Sequence, residues 1–212
     1  MISLEHNLLF VHIPKTAGTA IRQVLHKGSA MHLVTNHPSI YQFKRLLHPD
    51  LYEKLFKFAI VRNPWDRAVS AFVFHTSDKY KKIMPKHWKQ VHDLTFTQYI
   101  EREALSAYGL LQLPWISLDC RDLGCLGKFF SEPSTRHSNF RIDVDYICRF
   151  EKLERSMRRL SKKSGCPVFQ VPHVNATQHA HYSEYYDSHT RDLVRSRCEE
   201  DIDTFLYTFS SS

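Results

Sequence analysis

Apolar residues along this chain fall into short continuous runs, each followed by a stripe at helical spacing. Leu8, Leu9, Phe10, Val11 and Ile13 form one run that stops at Pro14, which predicts a buried strand closed by a turn. Lys15 to Thr19 then make a loop, and Ile21, Val24 and Leu25 recur at the helical period, so the unit reads strand, loop, helix. A second unit repeats the order. Phe58, Ala59, Ile60 and Val61 predict a buried strand, and Asn63 and Pro64 supply a helix cap and a first helical residue. Trp65, Ala68, Val69 and Phe72 fall on one side of that helix, with Asn63, Asp66, Arg67 and Ser70 on the opposite, polar side.

A third run, Tyr146, Ile147, Cys148 and Phe150, is interrupted by Arg149 and leads through Glu151 to a helix carrying Leu153, Met157 and Leu160. A single last helix is predicted from about Thr190 to Tyr207, with Val194, Cys198, Ile202, Phe205 and Phe209 on its apolar stripe. Repeated strand-to-helix order predicts an α/β fold with a central, mostly parallel sheet flanked by helices. The stretch from about Ser77 to Asp145 is less regular, with a helix expected around Phe96 to Leu105. It reads as an insertion between sheet units, a natural place for substrate contacts. There is no internal repeat, and Ser210 to Ser212 are expected to fray.

Length and composition fit this picture. A chain of 212 residues can bury one substantial core, so one domain is expected across 1–212. A hydrophobic fraction of 42% and a charged fraction of 24% are those of a globular protein, which argues against disorder. The formal charge of +7 favours an anionic partner, whether nucleotide, nucleic acid or acidic glycan, without choosing among them. Met1 to Asn7 lack a signal-peptide pattern, and no apolar stretch is long enough to cross a bilayer. The expectation is a soluble, cytoplasmic protein without stable membrane insertion, or a lumenal one if an anchor precedes this chain.

Five cysteines, odd in number and irregularly spaced, do not make a disulfide framework, although Cys120 and Cys125 could pair. A zinc site would recruit those two with His179 and His181, but CxxC and finger-type histidine spacings are missing. The basic cluster Lys79, Lys81, Lys82, Lys86 and Lys89 suits an anionic glycan or a plain solvated face. Trp65 reads as core, whereas Trp88 could stack on a sugar or anchor a loop.

Candidate chemistry concentrates at two strand ends. Pro14, Lys15, Thr16, Ala17, Gly18 and Thr19 open a helix, where backbone N–H groups, the helix terminus and the Lys15 ammonium can surround an anion. Thr16 and Thr19 offer hydroxyl donors, and Gly18 permits close approach of the backbone. The triphosphate loop GxxxxGK[ST] is absent, because here the lysine precedes the glycine, which weakens a nucleotide kinase reading. Arg62 ends the second strand and Ser70 lies about two turns into its helix. A guanidinium and a hydroxyl so placed suit a phosphate monoester.

The run His12 to Thr19, taken with Val61 to Ser70, resembles the paired 5′-phosphosulfate and 3′-phosphate motifs of carbohydrate sulfotransferases that use 3′-phosphoadenosine 5′-phosphosulfate (PAPS). Further similarity continues through Asp145, Tyr146, Ile147, Arg149, Phe150 and Glu151, and through His173, Val174 and Asn175 to Tyr182, Tyr185, Tyr186 and Asp187. The resemblance implies a P-loop-like three-layer sandwich and a metal-free transfer from PAPS to a hydroxyl-bearing acceptor, a glycan in the related enzymes. Lys15, Thr16, Ala17, Gly18, Thr19 and Ala20 would surround the 5′-phosphosulfate, and Arg62 and Ser70 the 3′-phosphate.

Lys15 would act on the leaving-group side. His37, between the two units, resembles the histidine that glycan sulfotransferases carry before their 3′-phosphate strand, and is the candidate base; His32 and His48 share its stretch. Where some relatives place a second histidine near a Pro-Gln pair, this chain reads Tyr108, Gly109, Leu110, Leu111, Gln112, Leu113, Pro114. A nucleotide-binding but catalytically degenerate sulfotransferase-like protein stays open as an alternative. A basic nucleic-acid-binding protein is disfavoured, since the basic residues form no recognition-helix motif or aromatic binding face.

Overall fold

The computed structural model describes residues 1–25, 30–31, 37–103, 111–118, 141–172 and 180–210. The chain divides into two compact units. One is drawn from Met1–Arg62, Gln112–Cys125 and Arg136–Asn175, the other from Asn63–Leu111, Leu126–Thr135 and Ala176–Ser212.

The first unit holds the sheet. Its strands are β1 (Ile2–Ser3), β2 (Leu8–Val11), β3 (Ala30–Met31), β4 (Phe56–Val61) and β5 (Tyr146–Arg149), in the order β3-β1-β2-β4-β5. β2 runs parallel to β4, with Phe10 opposite Phe58, and β4 parallel to β5, with Ile60 opposite Cys148. The two-residue strands β1 and β3 add an antiparallel edge beside β2. The fold is therefore α/β around a parallel core.

Leu8, Phe10, Phe58, Ile60 and Cys148 share one sheet face, where they pack with Ile21 and Leu25 of the Gly18–Leu25 helix and Met157 and Leu160 of the Leu153–Ser164 helix. Leu9, Val11, Ala59 and Val61, on the opposite face, are equally buried. Closure of both faces is why these strands read as continuous apolar runs and not as alternation. Lys57 is the exception inside β4. Its ammonium is buried yet satisfied by the carbonyls of Tyr52 and Leu55 at 3.3 and 3.0 Å, with the Asp145 carboxylate 3.7 Å away.

The second unit is helical. The Pro64–His75 helix starts as expected: the Asn63 side chain accepts the Trp65 N–H at 3.1 Å, and Pro64 takes the first turn. Trp65, Ala68 and Val69 are buried, and so are Asn63, Arg67 and Ser70 on the opposite, polar side. Asp66 on that side is partly exposed, so the polar side is largely enclosed, a distinction that periodicity does not carry. Trp65 is core, its indole N–H donating to the Arg191 carbonyl at 3.1 Å.

The single last helix expected over Thr190–Tyr207 is two helices, Ser188–Arg197 and Glu199–Phe205. Cys198 leaves helical geometry at φ −113° and ψ 19°, and Glu199, Glu200 and Asp201 supply the negative charge that suits a new N-terminus. The apolar stripe survives the break, because Val194, Cys198, Ile202 and Phe205 are all buried. Phe209 follows beyond the helix, 5.6 Å from the Trp65 ring.

The expected insertion is distributed. Helices Asp78–Ile83, Pro85–Val91 and Phe96–Glu103 fall in the second unit, whereas Gln112 to Leu118 and Ile142 to Asp145 fall in the first. Lys79, Lys81, Lys82, Lys86 and Lys89 are exposed. Trp88 is half-buried, stacked on His92 at 3.9 Å and donating to the Thr76 carbonyl at 3.2 Å, the geometry of an anchor.

Cys120, Cys125, His32, His173 to Asn175, His179 and Tyr108 to Leu110 lie outside the described residues. Among the described residues, Cys148, Cys166 and Cys198 are free, buried thiols. No group of three metal-ligating side chains and no helix long and apolar enough to cross a membrane occurs among them.

Candidate active site

Parallel β2 and β4 lie side by side, so the turns at their C-terminal ends are neighbours. In open α/β sheets this edge is where ligands bind. The β2 turn is unusual in backbone geometry. Lys15 and Ala17 both have φ of 67°, in the left-handed region, while Thr16 between them and Gly18 after them do not. Alternation of this kind aims successive N–H groups into one concavity, an anion-binding nest. Left-handed geometry costs an L-residue about 1–2 kcal/mol, so two such positions in one short loop mark a conformation that the surrounding structure enforces.

Other groups of the loop are used internally. Thr16 is fully buried and its hydroxyl donates to the Ile13 carbonyl at 2.8 Å, which closes the turn and takes up the hydroxyl. The N–H groups of Ala20 and Ile21 bond to the Ala17 carbonyl at 3.0 and 3.2 Å. Gly18 and Thr19 begin the helix, where first-turn N–H groups have no intrahelical acceptor. Gly18 also makes room inside the protein. A Cβ there would stand 1.7 Å from His12 Nε2, so the space the glycine leaves is filled by an imidazole of the same strand end.

His12 connects this turn to the candidate base. Its carbonyl lies 3.2 Å from His37 Nδ1, and the two rings are 4.3 Å apart. A carbonyl can only accept, so Nδ1 carries the proton of a neutral His37, and Nε2 keeps its lone pair. Burial lowers the His37 pKa, the His12 hydrogen bond works against that, and the Arg22 charge adds to the lowering. His12 is pushed well below the usual imidazole value, first by burial and then by His37 and Arg22. Both rings are therefore neutral at pH 7. Trp115 meets His37 edge-on, with ring centroids 6.2 Å apart. His48, by contrast, is exposed beside Asp50 at 3.5 Å.

Arg62 sits at the end of β4 with 7% of its surface exposed. Its Nη1 donates to the Lys15 carbonyl at 3.2 Å, and its guanidinium lies 4.2 Å from the Phe150 ring centroid. The main chain of Arg62 is gripped by one side chain. Gln112 Oε1 accepts the Arg62 N–H at 2.8 Å and Gln112 Nε2 donates to the Arg62 carbonyl at 2.8 Å.

Lys15, Arg62 and His37 thus occupy one region of the first unit. Ser70 lies buried on the Pro64–His75 helix of the second unit. His12, Gln112 and Phe150 were not legible as site residues. Gln112 did leave a trace, being the lone polar residue of the run Leu110, Leu111, Gln112, Leu113, Pro114, Trp115, where a buried amide needs a partner.

A parallel sheet with a nest-like turn, a buried arginine and a neutral imidazole at one end defines an α/β protein with a candidate anion site. The sequence profile of the sulfotransferase family matches residues 1–208. The chain belongs to that family, whose general activity is sulfotransfer to an acceptor substrate. No curated protein and no solved structure matches it.

Proposed function

We propose that the protein transfers a sulfuryl group from PAPS to a hydroxyl of a carbohydrate acceptor, on a P-loop-like three-layer fold. The observation that carries this reading is the hydrogen bond from Arg62 to the Lys15 carbonyl at 3.2 Å, which places a cationic turn beside the nest. A nucleotide phosphorylated at both its 5′ and 3′ positions needs two anion sites held at fixed separation. The ends of β2 and β4 offer two adjacent ones.

In this reading the backbone from Lys15 to Ala20 surrounds the 5′-phosphosulfate, with Lys15 supplying a full positive charge. Arg62 binds the 3′-phosphate, and Phe150 keeps the guanidinium in place by a cation-π contact. His37 takes the acceptor's hydroxyl proton at Nε2. The acceptor oxygen bonds to sulfur as the bond from sulfur to the 5′-phosphate oxygen breaks, and Lys15 neutralises the charge left on that oxygen. The neutral state of His37 and its Nδ1 contact with the His12 carbonyl support the assignment.

Exposed lysines on the Asp78–Ile83 and Pro85–Val91 helices support an anionic glycan as acceptor. The buried free thiols fit a reducing, cytoplasmic setting. Transfer of radiolabelled sulfate from PAPS to a panel of glycans tests the proposal. Label on at least one glycan, lost in Lys15→Ala, is the expected result. Nucleotide binding without transfer to any hydroxyl acceptor would instead identify the degenerate alternative.

A further inference from the structure

We infer that Gln112 is the positioning residue for recognition of the nucleotide's 3′-phosphate, acting through Arg62. The inference rests on the PAPS reading above and adds to it a residue that contacts no ligand. Gln112 is completely buried, and both ends of its amide are committed to one residue, accepting from Arg62 N–H and donating to Arg62 C=O at 2.8 Å each. This is the pairing a neighbouring strand would give, supplied by a side chain at the point where β4 has ended. β4 pairs with β5 as far as Val61 opposite Arg149, so Arg62 is the first residue beyond the ladder.

A purely structural need for one buried hydrogen bond could be met by a serine or a water. Two opposed bonds to the two peptide groups that flank one Cα fix the φ and ψ neighbourhood of Arg62, and hence where its Cα–Cβ bond points. The guanidinium is then held by the Lys15 carbonyl at 3.2 Å and the Phe150 ring at 4.2 Å. Gln112 is itself anchored. The Trp115 N–H donates to its carbonyl at 3.0 Å, and the Asp143 N–H donates to the Ile116 carbonyl at 3.0 Å, tying the short Leu113–Ile116 helix to the chain that enters β5. The amide therefore transmits a rigid reference to Arg62.

The test is isothermal titration of adenosine 3′,5′-bisphosphate and of AMP, which lacks the 3′-phosphate, into the full chain. Wild type is expected to prefer the bisphosphate. Gln112→Met, of similar volume but without the amide, should lose about tenfold of that preference while AMP affinity changes by less than about twofold. Gln112→Glu keeps the acceptor for Arg62 N–H and loses the donor, so it should fall between, and it serves if the methionine variant does not fold. In an Arg62→Ala background, Gln112→Met should cause no further loss of preference, a coupling that a general structural defect would not produce. Wild-type preference that persists unchanged in both Gln112 variants overturns the inference and leaves the nucleotide reading intact. A wild type without preference removes both.

Discussion

At the scale of single residues, the proposed chemistry turns on which nitrogen of His37 holds the proton. The His12 carbonyl at 3.2 Å assigns it to Nδ1, leaving Nε2 with the lone pair that the proposed base needs. His37→Ala should therefore lower transfer by about 10²–10⁴-fold, with adenosine 3′,5′-bisphosphate binding unchanged, as measured by turnover and titration side by side. Retained turnover would discard the role. The pKa lowering sets the pH response. A base whose pKa lies below the ordinary imidazole value of about 6.5 stays active through neutrality, and the acid limb of kcat/KM should fall below pH ~6.5.

The same sign governs stability at His12. Its folded pKa is depressed, so the unfolded chain takes up protons first as pH falls. Stability is full above pH ~6.5 and declines below it. The thermal midpoint should drop between pH 7 and pH 5, and drop less in His12→Phe. An equal drop in both proteins would contradict the assignment.

At the scale of elements, the β2 turn is held by mutual exclusion between Gly18 and His12. Gly18→Ala places a methyl group into the imidazole and should cost about 1–3 kcal/mol in denaturant unfolding. His12→Ala empties the space, so the double variant should recover much of that loss, giving a coupling within the usual 0.5–3 kcal/mol for residues in contact. Additive costs would mean that the two do not compete for one volume.

This turn also shows where sequence reading stops. The run from Leu8 to Ile13 and the stripe Ile21, Val24, Leu25 located the strand and helix, because burial on both faces and helical period are local signals. They could not say that Gly18 makes room for a ring six positions earlier, since that depends on how the loop folds back. Gln112 was hidden for a similar reason, its partner being 50 positions away. The break at Cys198 was invisible to periodicity, as the apolar stripe runs through it unchanged.

At the scale of the whole molecule, the order of units along the chain translated directly into adjacent parallel strands, so Lys15 and Arg62 were legible as neighbours before any coordinates. The polar side of the Pro64–His75 helix was not legible as buried, because amphipathicity distinguishes polar from apolar and not wet from enclosed. A net charge of +7 gives the molecule a general attraction for anions, and in the proposed reading the two turns give that attraction a defined geometry.

The central claim is that both turns hold one nucleotide. Titration of adenosine 3′,5′-bisphosphate and AMP into wild type, Lys15→Ala and Arg62→Ala tests it most directly. Lys15→Ala should weaken both ligands, and Arg62→Ala should weaken the bisphosphate by about tenfold or more while sparing AMP. Equal loss of both ligands in the two variants, or bisphosphate affinity indifferent to either, would contradict the account.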